Sequence, residues 1–259
     1  MHILVTNDDG VTHPGLLALV QSMQQVGEVT VLAPDRNWSA SGHVKTLHRP
    51  IRVRQTELAD GTPAYTSDGA PSDCVALAAL GFIDKPIDLV VSGINPYANM
   101  GDDVTYSGTV TAAMEAAING LPGIAFSLDS PPDFPGVKDF GPAATIARQI
   151  VKEAVKHELP HNTLLNVNIP FLFLEDVKGL RVTRLGLRVY RNELVRRDDP
   201  YGRPYYWIGG EAPTGVPEEG TDIGAMHDGY VSITPMHIDM SAHNLMDELN
   251  SWDWGAIEV

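Results

Sequence analysis

Apolar positions along the chain fall into short blocks that alternate with longer periodic runs. Ile3-Leu4-Val5 is the first block and reads as a short buried strand. Leu16, Leu17, Leu19, Val20, Met23 and Val26 follow at helical spacing, with Gly27 as the stop. Val29-Thr30-Val31-Leu32-Ala33 is a second strand, closed by Pro34. A β-α-β unit this short implies a parallel pair joined by a right-handed crossover. The pattern recurs: a helix from Pro71 through Leu80, a strand over 88–92, a helix from Thr109 to Asn119 stopped by Gly120 and Pro122, and a strand over 124–127. A Pro-rich link (Pro131, Pro132, Pro135) then leads to a helix near Pro142–His157 and a strand at Leu164–Ile169. This alternation predicts the α/β class: a Rossmann-like, doubly wound, mostly parallel sheet.

Beyond Gly179 the periodicity changes. Strand-like runs such as Arg181-Val182-Thr183-Arg184, Tyr205-Tyr206-Trp207-Ile208 and Gly229-Tyr230-Val231-Ser232-Ile233-Thr234 are separated by Gly/Pro-rich and acidic segments. We therefore expect an α/β core over residues 1–179 and a β-rich C-terminal extension over 180–259, with no internal repeat and no low-complexity tract.

Composition excludes some classes. The 259 residues are 43% apolar and have a mean hydropathy of −0.08, and no stretch approaches a bilayer span. The stretch Met1 to Asp9 lacks a basic region and reaches carboxylates too early for a signal peptide. With 18 Lys+Arg against 33 Asp+Glu the net charge is −15, which disfavours duplex nucleic acid as a partner. A small anionic ligand remains open where a cation or a helix N-terminus reverses the local field. The single cysteine, Cys74, lies in an apolar run and permits no internal disulfide, which suits a reducing, cytoplasmic setting. Asn37-Trp38-Ser39 spells a glycosylation sequon that has no meaning without secretion.

Three loops carry candidate chemistry. Asn7-Asp8-Asp9-Gly10 directly follows the first strand, where parallel sheets bind ligands. It reads either as a turn or as a seat for Mg²⁺ or Mn²⁺, whose charge would relieve the repulsion between adjacent carboxylates. Ser92-Gly93-Ile94-Asn95 also follows a buried strand, and Asn95 can offer a carboxamide oxygen or simply bond its own backbone. Ser107-Gly108-Thr109 leads into a helix and suits either a phosphate or plain capping. His157-Glu158-Leu159-Pro160-His161 spells a zinc-protease motif, but Pro160 stops both histidines from sharing a helical face. Dinucleotide, P-loop and nucleophile-elbow signatures are all absent from the sequence.

These loops, together with Ser39-Ala40-Ser41-Gly42-His43, Asn99-Met100-Gly101-Asp102-Asp103, Gly202-Arg203-Pro204-Tyr205-Tyr206, Asp222 and Gly229-Tyr230-Val231-Ser232-Ile233-Thr234-Pro235, resemble the survival protein E family of metal-dependent nucleotidases from end to end. The resemblance implies one divalent cation per subunit, Mg²⁺ or Mn²⁺, on Asp8, Asp9, Ser39 and Asn95. It implies a substrate phosphate on Asn99, Ser107, Gly108 and Thr109, and hydrolysis of nucleoside 5′- and 3′-monophosphates, in some members also of short polyphosphate. It further implies a homodimer or homotetramer with C-terminal hairpins reaching across subunits. On this reading a metal-activated water attacks phosphorus in line, with Asp8 or Asp9 as catalytic carboxylate and no covalent phospho-enzyme. Two departures stand out: Tyr97 replaces the family's usual Gly, and Ala70 precedes Pro71 where Thr, a better N-cap, is common.

Overall fold

The computed structural model describes residues 1–255; the final four positions of the expected 180–259 extension lie outside the described residues. The elements, in chain order, begin with β1 (His2–Thr6), α1 (Pro14–Met23), β2 (Glu28–Pro34), β3 (Val53–Glu57), β4 (Pro63–Ser67) and α2 (Pro71–Leu77). They continue with β5 (Leu89–Asn95), α3 (Gly108–Ile118), β6 (Gly123–Asp129), α4 (Gly141–Ala154) and β7 (Thr163–Pro170). The last third holds β8 (Leu180–Val182), β9 (Arg188–Val189), β10 (Asn192–Asp198), β11 (Pro204–Gly210), β12 (Thr214–Gly215), α5 (Asp222–His227), β13 (Val231–His237) and α6 (His243–Asn250).

The period-two alternation of β1 builds a three-layer molecule. Ile3 and Val5 pack under α1 and α4, while Leu4, between them, faces α2 and α3. β5 repeats this: Leu89 and Val91 go to the first layer and Val90 to the second. Burial on both faces is why these strands read as unbroken apolar runs. The resulting nine-stranded sheet has the order β3-β4-β2-β1-β5-β6-β7-β13-β8 and is parallel apart from the β3–β4 and β7–β13 pairs. The chain steps from β1 outward to β2, then returns to place β5 on the other side of β1. The carboxyl ends of β1 and β5 therefore flank the switch point, where an open α/β sheet leaves a crevice. No helix among the described residues is long and apolar enough to cross a membrane.

Several elements differ from expectation. The helix begun at Pro71 is α-helical only to Leu77; residues 78–82 form a wider turn, with Gly81 at φ +100°. The helix expected to reach His157 ends at Ala154, so neither histidine of the zinc-like spelling is helical. The antiparallel pair β3–β4 at the sheet edge leaves no hydrophobic pattern in the sequence, because four of the five residues of β3 are Arg, Gln, Thr and Glu. Nor is residue 179 a boundary of the sheet, since β8 and β13 complete its far edge. The rest of the extension is a β10–β11 ribbon, a short β9–β12 pair, and the helices α5 and α6.

Candidate metal and phosphate site

The turn after β1 is set by Asn7, whose amide donates to Gly10 O (2.9 Å) while its oxygen accepts from Gly10 N (3.2 Å). Asn7 is thus the turn former, and the next two carboxylates are aimed by it. Asp8 is buried, and its Oδ1 accepts from Thr109 Oγ1 at 2.6 Å. Burial pushes the Asp8 carboxyl above its ordinary range, partly offset by the Thr109 hydroxyl and by the facing amides of Thr109 and Gly108. A Cβ on Gly108 would lie 2.6 Å from Asp8 Cβ, so only glycine lets the first turn of α3 sit against this carboxylate.

Asp9 is likewise nearly enclosed. Its Oδ1 accepts from Asn37 Nδ2 (3.3 Å), and its buried Oδ2 has no hydrogen-bond partner among the described residues. Burial first, and then the charge of Asp8, push its carboxyl up to about 7, with the Lys138 ammonium pulling the other way. His13 Nδ1 lies 3.7 Å from Asp9 Oδ2, but that nitrogen accepts from Gly15 N (3.1 Å). Burial and the Lys138 charge lower the imidazole to about 4, so His13 is neutral and forms no ion pair with Asp9.

Loop 37–39 is clamped across this pair: Trp38 N donates to Asp8 O (2.7 Å), and Ser39 N donates to Asn37 Oδ1 (2.7 Å). The following residues are fastened by two buried carboxylates. Asp73 accepts from Thr46 N, Thr46 Oγ1 and Ala70 N at 2.9, 2.6 and 2.8 Å, the last serving the N-cap of α2, where Ala70 has no side-chain oxygen. Burial pushes Glu115 up, but donors on His43, Lys45 and Asn119 outweigh it and bring that carboxyl down to about 2.

Asn95 closes β5 beyond an irregularity in the β5–β6 register between Ser92 and Asn95. Gly93 permits it, with φ +129° and with space for a Cβ filled by Phe126 O at 2.3 Å. The Asn95 amide donates to Tyr97 O (2.5 Å), so the carboxamide oxygen is the atom left for a cation. Asn99 is held by strand-end polar groups: its N donates to Asn168 Oδ1 (2.8 Å), its Nδ2 to Ser127 Oγ (2.8 Å), and its carbonyl accepts from Asn166 and Asn168. Ser107 Oγ accepts from Val110 N (3.1 Å), so the hydroxyl caps α3. The Thr109 hydroxyl is committed to Asp8, and the first-turn amides of α3 face the same carboxylate.

Asp8, Asp9, the Ser39 loop, Asn95 and the Ser107–Thr109 turn are therefore brought to one crevice. A buried carboxylate pair with an unpartnered oxygen, next to neutral amide and hydroxyl oxygens, fits a hard divalent cation. Among the described residues no group of three or more His, Cys, Asp and Glu could hold a metal, so two carboxylates are the charged donors of this site. Asn37, Ser127, Asn166, Asn168 and Lys138 also surround the site, and none of them lies in the three candidate loops. Two asparagines at alternate positions of an otherwise apolar strand, Asn166 and Asn168, were the readable signal.

Residues 3–192 match the family model described as Survival protein SurE. A relative from Chloroflexus aggregans named 5′-nucleotidase SurE is 52% identical, covering 98% of this chain and 100% of its own length. Another of the same name from Herpetosiphon aurantiacus is 54% identical over 98% and 99%. The crystal structure of the SurE protein from Aquifex aeolicus superposes with a TM-score of 0.81 at 40% identity, covering 96% of this chain and 98% of that one.

Proposed function

The chain belongs to the survival protein SurE family, and on that premise we propose that it is a 5′-nucleotidase, a phosphoric monoester hydrolase releasing nucleoside and phosphate from nucleoside 5′-monophosphates. The reading extends to 3′-monophosphates and to dependence on one Mg²⁺ or Mn²⁺ per subunit. The observation that carries it is the buried Asp8–Asp9 pair, with its unpartnered oxygen, at the switch point against the N-terminus of α3. Asp8, Asp9, Ser39 and Asn95 would hold the divalent cation, which would supply Lewis-acid polarisation of the phosphoryl group and a more acidic water.

The chain's own groups do the rest. Thr109 and the first-turn amides orient Asp8 and present the positive end of α3 to the phosphoryl oxygens. A carboxylate of the Asp8–Asp9 pair would accept the proton of the attacking water; with Asp8 Oδ1 held by Thr109, we assign this to Asp9. The P–O ester bond breaks as the water oxygen joins phosphorus; the departing nucleoside oxygen takes a proton from solvent water, and the proton taken up by the carboxylate returns to solvent. The Cys74 thiol, buried and pushed well above its ordinary pKa, takes no part, and a lone reduced cysteine fits a cytoplasmic location.

The test is phosphate release from a panel of nucleoside 5′- and 3′-monophosphates with Mn²⁺, with Mg²⁺ and with EDTA. Turnover with either cation and none in EDTA is expected; turnover undiminished by EDTA would remove the metal from the reading. The β10–β11 ribbon exposes Tyr206, Trp207 and Ile208, an apolar edge that in a lone chain invites association. It is our candidate for the subunit contact of a homodimer or homotetramer. Trp207→Asp with Ile208→Asp should lower the sedimenting mass to that of one chain, while an unchanged mass would place the contact elsewhere.

A further inference from the structure

The site as described is acidic, yet its substrate is a dianion in a chain of net charge −15. On the Asp8 side the positive end of α3 answers this. On the Asp9 side the structure offers a different cation. Lys138, half-buried in the segment between β6 and α4, holds its Nζ 4.0 Å from the centroid of the Tyr97 ring. The contact that seats this ammonium is a ring face, and among the described residues no carboxylate lies within ion-pair distance of it. Tyr97 in turn is fixed through its own carbonyl, which accepts from the Asn95 amide.

The segment carrying Lys138 is fastened at both ends beside the crevice. Ser130 N donates to Pro96 O (3.3 Å), and Phe140 meets the His13 ring edge-on at 5.4 Å between centroids. Lys138 therefore stands at the mouth, with the Asn95–Tyr97 loop on one side and the Asp9–His13 turn on the other.

We propose that Lys138 is a substrate-binding residue that contacts the phosphate dianion from the Asp9 side, and that Tyr97 is the residue that positions it. The inference rests on the nucleotidase reading above. An ammonium on a flexible stem, pre-seated on an aromatic face, loses less freedom on meeting the phosphate than a solvated lysine does.

Steady-state kinetics of the intact, cation-loaded enzyme on a nucleoside 5′-monophosphate, with inorganic phosphate as inhibitor, test it. Lys138→Met should raise KM and the phosphate Ki about tenfold, the loss of one charge-assisted contact, with kcat changed much less. Lys138→Arg should recover most of the loss. Tyr97→Phe keeps the ring and should stay near wild type, whereas Tyr97→Leu should raise KM by a factor between those of wild type and Lys138→Met. A Lys138→Met enzyme whose KM and Ki both match wild type overturns the proposal and leaves Lys138 a counter-charge to Asp9. A wild-type chain that releases no phosphate with any cation overturns the nucleotidase reading instead. The phosphate-induced rise in melting temperature then still reads the contact: a rise fully kept in Lys138→Met sinks the proposal, and its loss supports it.

Discussion

Replacing Asp8 by Asn should lower kcat by roughly 10³-fold, the scale set by losing one preorganised electrostatic group, while the protein remains folded. The expectation follows from where Asp8 sits. Its Oδ1 accepts from Thr109 Oγ1 at 2.6 Å, and an Asn oxygen can keep that bond, so the turn and the first turn of α3 stay in place. What is lost is the charge, and with it a full ligand for a cation.

Stability should move the other way. A carboxyl whose folded-state pKa lies above its unfolded value costs stability once the pH exceeds the unfolded value of 3.8, and the cost grows until the folded value is passed. For Asp9 that window closes at about 7. In EDTA the wild type should therefore lose stability as the pH rises from about 4 to about 7 and then level off, on the contribution of this group. Asp8→Asn removes one buried charge and the repulsion it exerts on Asp9, so its melting temperature in EDTA at pH 8 should equal or exceed that of wild type. Adding Mn²⁺ should raise the wild-type melting temperature and barely move that of the variant. Thermal scans at pH 5 and 8, with and without Mn²⁺, separate these outcomes. A variant that still gains as much from Mn²⁺ as wild type would take Asp8 out of the cation site.

The residues that carry these expectations were legible for a simple reason: they follow directly on apolar strands. Ile3-Leu4-Val5 and the run ending at Ser92 announce buried parallel strands, and such strands place what comes next, Asp8, Asp9 and Asn95, at the ligand-binding edge. Ser39 has no such marker. Its place depends on Trp38 N reaching Asp8 O and on Asn37 bridging to Asp9, contacts between loops that no local pattern encodes. Lys138 lies in a Pro-rich link whose path is set by Ser130 and Phe140 at its two ends. The same division explains the elements that were missed. β3 is mostly exposed, and α6 buries no side chain, so neither shows the hydrophobic period that marks a core element. At Ser107 the small-residue helix start suits a cap and a phosphate seat alike, and the hydroxyl accepts the capping bond from Val110 N.

Gly108→Ala puts the close approach of α3 to the carboxylate under direct test. Ala is the better helix former by about 1 kcal/mol, so at an unconstrained position in a helix the change raises stability. Here the added Cβ would stand 2.6 Å from Asp8 Cβ, 2.9 Å from Oδ2 and 3.2 Å from Cγ, distances that no rotation of a flexible tip relieves. Asp8 cannot simply turn away, because Thr109 Oγ1 holds its Oδ1 from the next residue of the same helix. Either α3 retreats, carrying the amides of Gly108 and Thr109 with it, or Asp8 gives up the Thr109 bond. Overpacking of this kind costs about 1–3 kcal/mol, which outweighs the gain in helix propensity, so the melting temperature should fall. A displacement near 1 Å between carboxylate and helix end should cost about 10²-fold in kcat/KM. The loss should appear in kcat and KM together, because the amides that would move are those proposed to face the phosphate. A Gly108→Ala enzyme that is more stable than wild type and turns over normally would mean that the helix end and Asp8 can separate freely. In that case the positive end of α3 would have no part in holding the phosphate.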